Sequence, residues 1–463
     1  MADHQLAHQR PAVSTALAYY LPAALVILLA LAASFSPWAV PALALFLVLP
    51  LIIKRPLVLV AVLALVLPIN RWSFDVGFYL RPYHILVLLA LPLYLWYWAA
   101  GKLPAIRFNL VDLALVAFLA CCLLSFAVSS ELSWSLRKLM SLVWVALLYL
   151  TIRLLVQTKA ALRVMITVAG ISMGLFAAGG LLVMALFVQR GLFSDLVPIP
   201  EGITPRLAYL HTDANFYGMY IAIYLIFAIV LLLRYPRVHP WLKALLVVLL
   251  GSNLVLAFSR GAFLAFVLIL PAILFVFRRH ISRRGFLVVL LLLAAGALIV
   301  AVLLPQSVWF SQWQRLAGTL EQIGVGRESR LAIFTYTLGN IVRHPFLGLG
   351  LGTSRAWHTS IMYAHNLFLE VLQDAGLVGM AGYLFLISSV ALMGLRAYRR
   401  SSDDYLKAVL AAALFALGFF HLQALTLNAV QDVMLWALIG LIVAVVVIAD
   451  RQSRDSHHAC RPV

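Results

Sequence analysis

Val433-Met434-Leu435-Trp436-Ala437-Leu438-Ile439-Gly440-Leu441-Ile442-Val443-Ala444-Val445-Val446-Val447-Ile448-Ala449 carries no charge and stops at Asp450-Arg451. Taken with the few residues before it, the run 430–449 is long enough to cross roughly 30 Å of hydrocarbon as a helix. Thirteen further apolar runs fall at 16–36, 37–53, 57–69, 83–100, 109–128, 139–157, 163–188, 215–233, 241–258, 261–277, 286–304, 377–395 and 405–425. The composition agrees: 65% of residues are hydrophobic, 11% are charged and the mean hydropathy is +1.04. A water-soluble globule would carry about 25% charged residues. The sequence therefore predicts an all-α, polytopic helical membrane protein with about 12–14 transmembrane helices. Runs 37–53 and 57–69 are short and hold Pro50, Pro56 and Pro68, so they make either two spans or one bent, partly re-entrant hairpin.

The net charge of +18 has a topological explanation. With both termini inside, the inner side holds 22 Lys or Arg against 6 Asp or Glu, and the outer side 12 against 10. Loops such as Arg278-Arg279-His280-Ile281-Ser282-Arg283-Arg284 and Arg396-Ala397-Tyr398-Arg399-Arg400 follow the positive-inside rule and would meet anionic lipid heads. No basic segment is interleaved with base-stacking aromatics, so nucleic acid is not an expected partner. Cys121 and Cys122 are adjacent and Cys460 is in the tail, which gives neither a disulfide framework nor a metal site. The first apolar run lacks a small-residue cleavage site and reads as a retained anchor.

The chain, 1–463, reads as one integral membrane domain with two long outer-side loops, 189–214 and 305–376. In the second, Leu331, Phe334, Leu338 and Ile341 recur at helical spacing and predict an amphipathic helix resting on the membrane before His344-Pro345. Gly348, Gly350 and Gly352 then alternate in a flexible stretch whose backbone could approach a ligand. A short helix over His365–Gln373 is predicted to end at Asp374-Ala375-Gly376, with Gly376 free to adopt positive φ before the next span.

Outer-side cations run against the positive-inside rule, so each asks for a reason. Arg260, in Phe258-Ser259-Arg260-Gly261, lies between two apolar runs with almost no loop, and faces either protein, an anion or phospholipid phosphates. Arg206 follows Pro205 and precedes the polar approach Asp213-Ala214-Asn215. Arg81 reads most simply as a solvated loop arginine, and Arg330 and Arg355 as residues that anchor the loop to lipid heads. His365 with Asn366 stands where a span is about to begin and reads either as a structural histidine or as a base at the lipid–water boundary. His421, Gln423, Asn428, Gln431 and Asp432 form a polar group around the last outer turn that could simply bond helix ends. Arginine forks match phosphate oxygens and a neutral imidazole can deprotonate a hydroxyl, so two arginines with a histidine suit a metal-free displacement of a lipid diphosphate. The rival reading is a transporter or flippase whose outer arginines form a substrate mouth, although transporters usually place ionisable groups near the bilayer midplane.

Several short stretches together resemble the bacterial O-antigen ligase and O-antigen polymerase superfamily. They are Arg206-Leu207 with Asp213-Ala214-Asn215, Ser259-Arg260-Gly261, Arg330 with His344-Pro345-Phe346-Leu347-Gly348-Leu349-Gly350, and His365-Asn366-Leu367-Phe368-Leu369-Glu370 with Gly376-Leu377-Val378-Gly379. The resemblance covers about residues 200–400 and departs at Ala208–Leu210 and Ala214, where the family often has Gly and Pro. It implies a GT-C-like membrane glycosyltransferase of the bacterial inner membrane, inverting and without cofactor or metal. Such an enzyme passes a glycan from an undecaprenyl-diphosphate carrier to an acceptor on a lipid A core or a growing polysaccharide, at the periplasmic face. On that resemblance His365 is the base, and Arg206 and Arg260 hold the diphosphate. Arg81, Arg330, Arg355, Asn366, Asp213 and Asn215 are secondary candidates.

Overall fold

The computed structural model describes residues 52, 54–71, 73–75, 79–101, 108–199, 205–235, 239–279, 283–310, 330–353 and 364–459. In chain order its elements are α1 (Pro56–Val66), a two-rung antiparallel hairpin of β1 (Phe74–Asp75) and β2 (Tyr79–Leu80), then α2 (Pro82–Ala99), α3 (Leu110–Ala127), α4 (Leu132–Leu155), α5 (Lys159–Arg190), α6 (Ala214–Arg234), α7 (Pro240–Leu256), α8 (Arg260–Phe277), α9 (Arg283–Leu303), α10 (Arg330–Arg343), α11 (Leu367–Arg400), α12 (Asp404–Gln423) and α13 (Val433–Ala459). Among the described residues nine helices are long and apolar enough to span a membrane, and 57–66, 241–256 and 287–303 are shorter apolar helices. The expected spans 16–36 and 37–53 fall, but for Ile52, outside the described residues.

Polar residues set the helix starts. Asn109 accepts from Val111 and Asp112 N–H at α3, while the Thr158, Asp213, Ser259, Asn366 and Asp403 side chains cap α5, α6, α8, α11 and α12. Each cap satisfies N–H groups that have no partner within the helix, a need sharpened where water is scarce.

α13 is the most enclosed span, with 89% of its apolar window buried. It packs on α4, α11 and α12, and Gly440 lets it lie close to Tyr149 and Ile152 of α4. Small residues at such contacts are how membrane helices gain packing without a hydrophobic driving force between them. Other spans face outward along one side: Leu88, Leu123, Leu182, Leu268 and Leu298 are all exposed.

The two ends of the bundle gather different residues. At one end Lys159 pairs with Asp403, Arg451 Nη2 donates to Gln157 Oε1 at 3.0 Å, and the Arg163 guanidinium lies 5.6 Å from the Tyr405 ring centroid. These are residues the charge pattern puts inside. At the other end the α1–β1 link joins segment 205–213, with Asn70 and Arg71 N–H donating to Leu210 O at 3.0 and 2.8 Å. The turns 257–259, 345–353 and 424–432 meet there as well.

α11 is two helices joined at a kink. Gly376 breaks it with φ 62° and ψ −161°, a region open in practice only to glycine. The turn after α10 takes up the freed backbone groups: Leu377 and Val378 N–H donate to Pro345 and Phe346 O at 2.8 and 3.1 Å, and Leu349 N–H donates to Gln373 O at 2.9 Å. The expected stop at Gly376 is therefore a kink, and the short helix 367–375 before it is the platform that carries His365.

The glycine stretch serves the same joint. A Cβ at Gly348 would stand 2.6 Å from Asp374 O, one at Gly350 2.5 Å from Ser129 Cβ and one at Gly352 2.9 Å from Trp134 O. The close approach expected of this backbone is made to the α3–α4 turn, α4 and α11. α10 turns its other face to the protein. It buries Ile333, Thr337 and Asn340, and leaves Leu338 and Val342 exposed.

Candidate active site

A three-bond clip delivers Arg206 to its place. Arg206, Leu207 and Ala208 N–H donate to Pro198, Leu256 and Leu196 O, each at 3.0 Å, so segment 205–208 lies buried along the end of α7. The Arg206 side chain is 7% exposed; its Nε donates to Ala257 O at 3.2 Å and its Nη2 to Asn215 Oδ1 at 2.7 Å. Asn215 Oδ1 also accepts from Ser259 Oγ at 3.2 Å, and Ser259 caps the helix that begins with Arg260. One amide oxygen on α6 thus ties the first arginine to the residue preceding the second. Asp213 caps α6, its Oδ1 accepting from Asn215 N–H at 2.6 Å.

Arg260 is the first residue of α8, half-buried, on a sharp turn that puts Phe258 at φ 45°. The next residue, Gly261, lies against the α12–α13 turn, where a Cβ would stand 2.6 Å from Thr426 Oγ1. Asn366 reaches the same turn from the opposite direction, its N–H donating to Asn428 Oδ1 at 3.1 Å. Asn366 also caps α11 through Phe368 and Leu369 N–H. Residues 423–428 are therefore the common neighbour of the α8 start, which carries Arg260, and the α11 start, which carries His365.

His365 is exposed and has φ 43°. A non-glycine residue in the left-handed region costs roughly 1–3 kcal/mol, and such strain concentrates at functional positions. Among the described residues only Phe193, Phe258 and His365 are non-glycine residues with positive φ, and two of these lie on the turns that present Arg260 and His365.

Under this rim lies a buried charge knot. Lys138 of α4 pairs with Glu370 and, at 2.8 Å, with Asp374 Oδ2, both on the short helix behind His365. Ser125 Oγ donates to Asp374 O at 2.5 Å, and Ser129, Ser135 and Thr353 form a hydroxyl chain beside them. Sequence reasoning missed Lys138, whose partners lie 232 and 236 positions away. The i, i+4 spacing of Glu370 and Asp374 on one helix face was the available signal.

Arg81 stands at the N-cap of α2 in a second buried group, where it acts electrostatically on Tyr83, His84, His211 and Asp432. Burial, and then the Arg81 charge, push the His211 imidazole down to about 3. Burial pushes the Asp432 carboxyl up to about 6 against the opposing pull of Met434 N–H, Arg81 and Tyr220. Arg330 is the first residue of α10, with its side chain outside the described residues, and Arg355 lies wholly outside them.

The fold is that of a multi-pass helical membrane protein. Residues 244–384 match the family model described as O-antigen ligase, which supports the resemblance of this part of the chain to the O-antigen ligase and polymerase superfamily. The match takes in Arg260, Arg330, His365 and Asn366; Arg206 precedes it. The family indicates O-antigen ligase-type activity, that of a glycosyltransferase-like enzyme. No curated protein matches the chain.

Proposed function

We propose that the protein transfers a glycan from an undecaprenyl-diphosphate carrier to an acceptor hydroxyl at the periplasmic face of the bacterial inner membrane. The acceptor is a lipid A core or a growing polysaccharide chain. In this reading the whole chain works as one membrane domain with both termini cytoplasmic and with segments 189–214 and 305–376 on the periplasmic side. His365 takes the acceptor hydroxyl proton, the oxygen attacks the anomeric carbon with inversion, and the carbon–oxygen bond to the diphosphate breaks. Arg206 and Arg260 hold the diphosphate and stabilise its growing negative charge as it leaves. Asp213 and Asn215 position this machinery from α6, Asn366 fixes the start of the His365 helix, and Arg81, Arg330 and Arg355 are secondary contacts. The reaction needs neither metal nor cofactor.

The observation that carries the reading is the bridge by which Asn215 Oδ1 holds both Arg206 and Ser259, so that one amide sets two arginines for one anion. The test is glycan transfer by purified protein with defined donor and acceptor lipids in the absence of any membrane gradient. His365→Ala is expected to cost about 10²- to 10⁴-fold. Full activity of His365→Ala at normal protein levels would remove the base, and transfer that never occurs in wild-type protein would favour the transporter reading. Ligase and polymerase are separated by supplying the lipid A core and the carrier-linked acceptor in turn.

A further inference from the structure

Gln423, in the last turn of α12, is 1% exposed, and among the described residues neither its Oε1 nor its Nε2 has a hydrogen-bond partner. A buried amide with both atoms unpaired is costly, and native proteins keep few of them. Leucine would fill the same volume without that cost.

The amide lies against the first turn of α8. A Cβ on Gly261 would stand 3.0 Å from its Oε1 and 3.1 Å from its Nε2, so the missing side chain at 261 is what lets the amide come so close. Thr426 Oγ1 donates to Gln423 O at 2.9 Å and fixes the backbone from which the amide projects.

α8 is 18 residues long and begins with Arg260. A helix of that length presents partial positive charge at its start, where Ser259 Oγ accepts from Ala262 N–H, and this favours an anion there. The amide N–H at the same place adds a neutral donor that has no partner among the described residues. Helix start, adjacent guanidinium and idle amide together ask for a ligand rich in oxygen lone pairs.

We propose that Gln423 is a further donor-binding residue whose Nε2 gives a hydrogen bond to a non-bridging oxygen of the carrier diphosphate, alongside Arg206, Arg260 and the start of α8. This rests on the reading of Arg206 and Arg260 as diphosphate ligands. It also explains Gly261: any side chain there would push the amide off the helix start.

The test is binding of undecaprenyl diphosphate to the full-length protein in lipid nanodiscs, with melting of each ligand-free variant recorded beside it. Gln423→Leu is expected to melt at or above wild type, because an unpaired amide is gone, and to bind the diphosphate about 10-fold or more weakly. Gln423→Glu keeps the shape and adds a charge that repels phosphate. Its deficit relative to wild type should exceed that of the leucine variant at pH 7 and shrink as acid protonates the new carboxyl.

Wild-type affinity in Gln423→Leu, with affinity lost in Arg206→Ala and Arg260→Ala, overturns the proposal and leaves the arginine reading standing. Wild-type affinity in all of these variants overturns the arginine reading itself. A leucine variant that melts well below wild type makes Gln423 a packing residue and overturns the proposal, as does a glutamate variant whose binding is independent of pH.

Discussion

Lys138→Met isolates what the buried charges do for the histidine. Lys138 is 7% exposed, Glu370 7% and Asp374 1%, so removing the single cation strands two carboxylates in a water-poor bundle. Breaking a buried ion pair from one side costs about 3–5 kcal/mol, because the partner charge stays behind uncompensated. Two carboxylates sharing the space add mutual repulsion, so the loss of stability should be large. Gln and Asn in place of the two acids remove the stranded charge, so Lys138→Met/Glu370→Gln/Asp374→Asn should regain most of the lost melting temperature. The short helix 367–375 is held to α4 by this knot, and His365 stands at its start. Single-variant transfer rates, measured per folded molecule in detergent, should therefore fall in kcat with little change in acceptor KM. Melting of Lys138→Met at the wild-type temperature would refute the electrostatic reasoning. Unchanged kcat in a destabilised variant would refute the link to His365.

Gly376→Ala should be among the most damaging single-methyl changes in the protein. It puts a Cβ into the backbone of Phe346 and within 2.7 Å of Gly348 N, at dihedrals only glycine adopts, and loss of folded protein on detergent gel filtration is the check. Asn215→Ala releases Arg206 and Ser259 from their shared acceptor, so donor KM should rise about 10-fold or more while the melting temperature moves little; an unchanged KM contradicts the bridge. The raised Asp432 carboxyl favours its protonated form in the folded state, so its contribution to stability is full below about pH 4 and disappears as pH rises through about 6. The depressed His211 imidazole has the opposite sign, contributing above about pH 6.5 and losing that contribution as pH falls toward about 3. Asp432→Asn removes only the first effect, so wild type should gain stability over the variant by up to about 3 kcal/mol between pH 6 and 4; a constant difference across that range refutes it.

The spans were legible because crossing a bilayer demands a length of apolar sequence that little else does; α13 shows this plainly. Arg206, Arg260 and His365 stood out for a related reason, since each is polar where the topology gives it no ordinary role. What stayed hidden is pairwise and tertiary. Nothing near Lys138 announces Glu370, and nothing near Asn215 announces that its side chain joins two loops. The alternating glycines carried a true signal of close approach, but only the packing shows that the partner is protein backbone. The apolar period of α10 located the helix, while its buried face follows Ile333, Thr337 and Asn340, because neighbouring segments rather than hydropathy decide which side packs. Gly376 was read correctly as a break and incompletely as an end, since the 345–349 turn resumes the hydrogen bonding that the glycine interrupts.

The central claim is that two guanidinium groups and one imidazole, brought to a single rim by the 257–261 and 423–428 turns, surround one phosphate-linked sugar. A structure of the full-length protein with undecaprenyl diphosphate bound tests this directly. The account predicts the diphosphate at the start of α8, with oxygens about 3 Å from both the Arg206 and Arg260 side chains and His365 facing the position of the departing sugar. A diphosphate bound at the opposite end of the bundle, beside Lys159 and Arg451, or one at the rim that touches neither arginine, would contradict it.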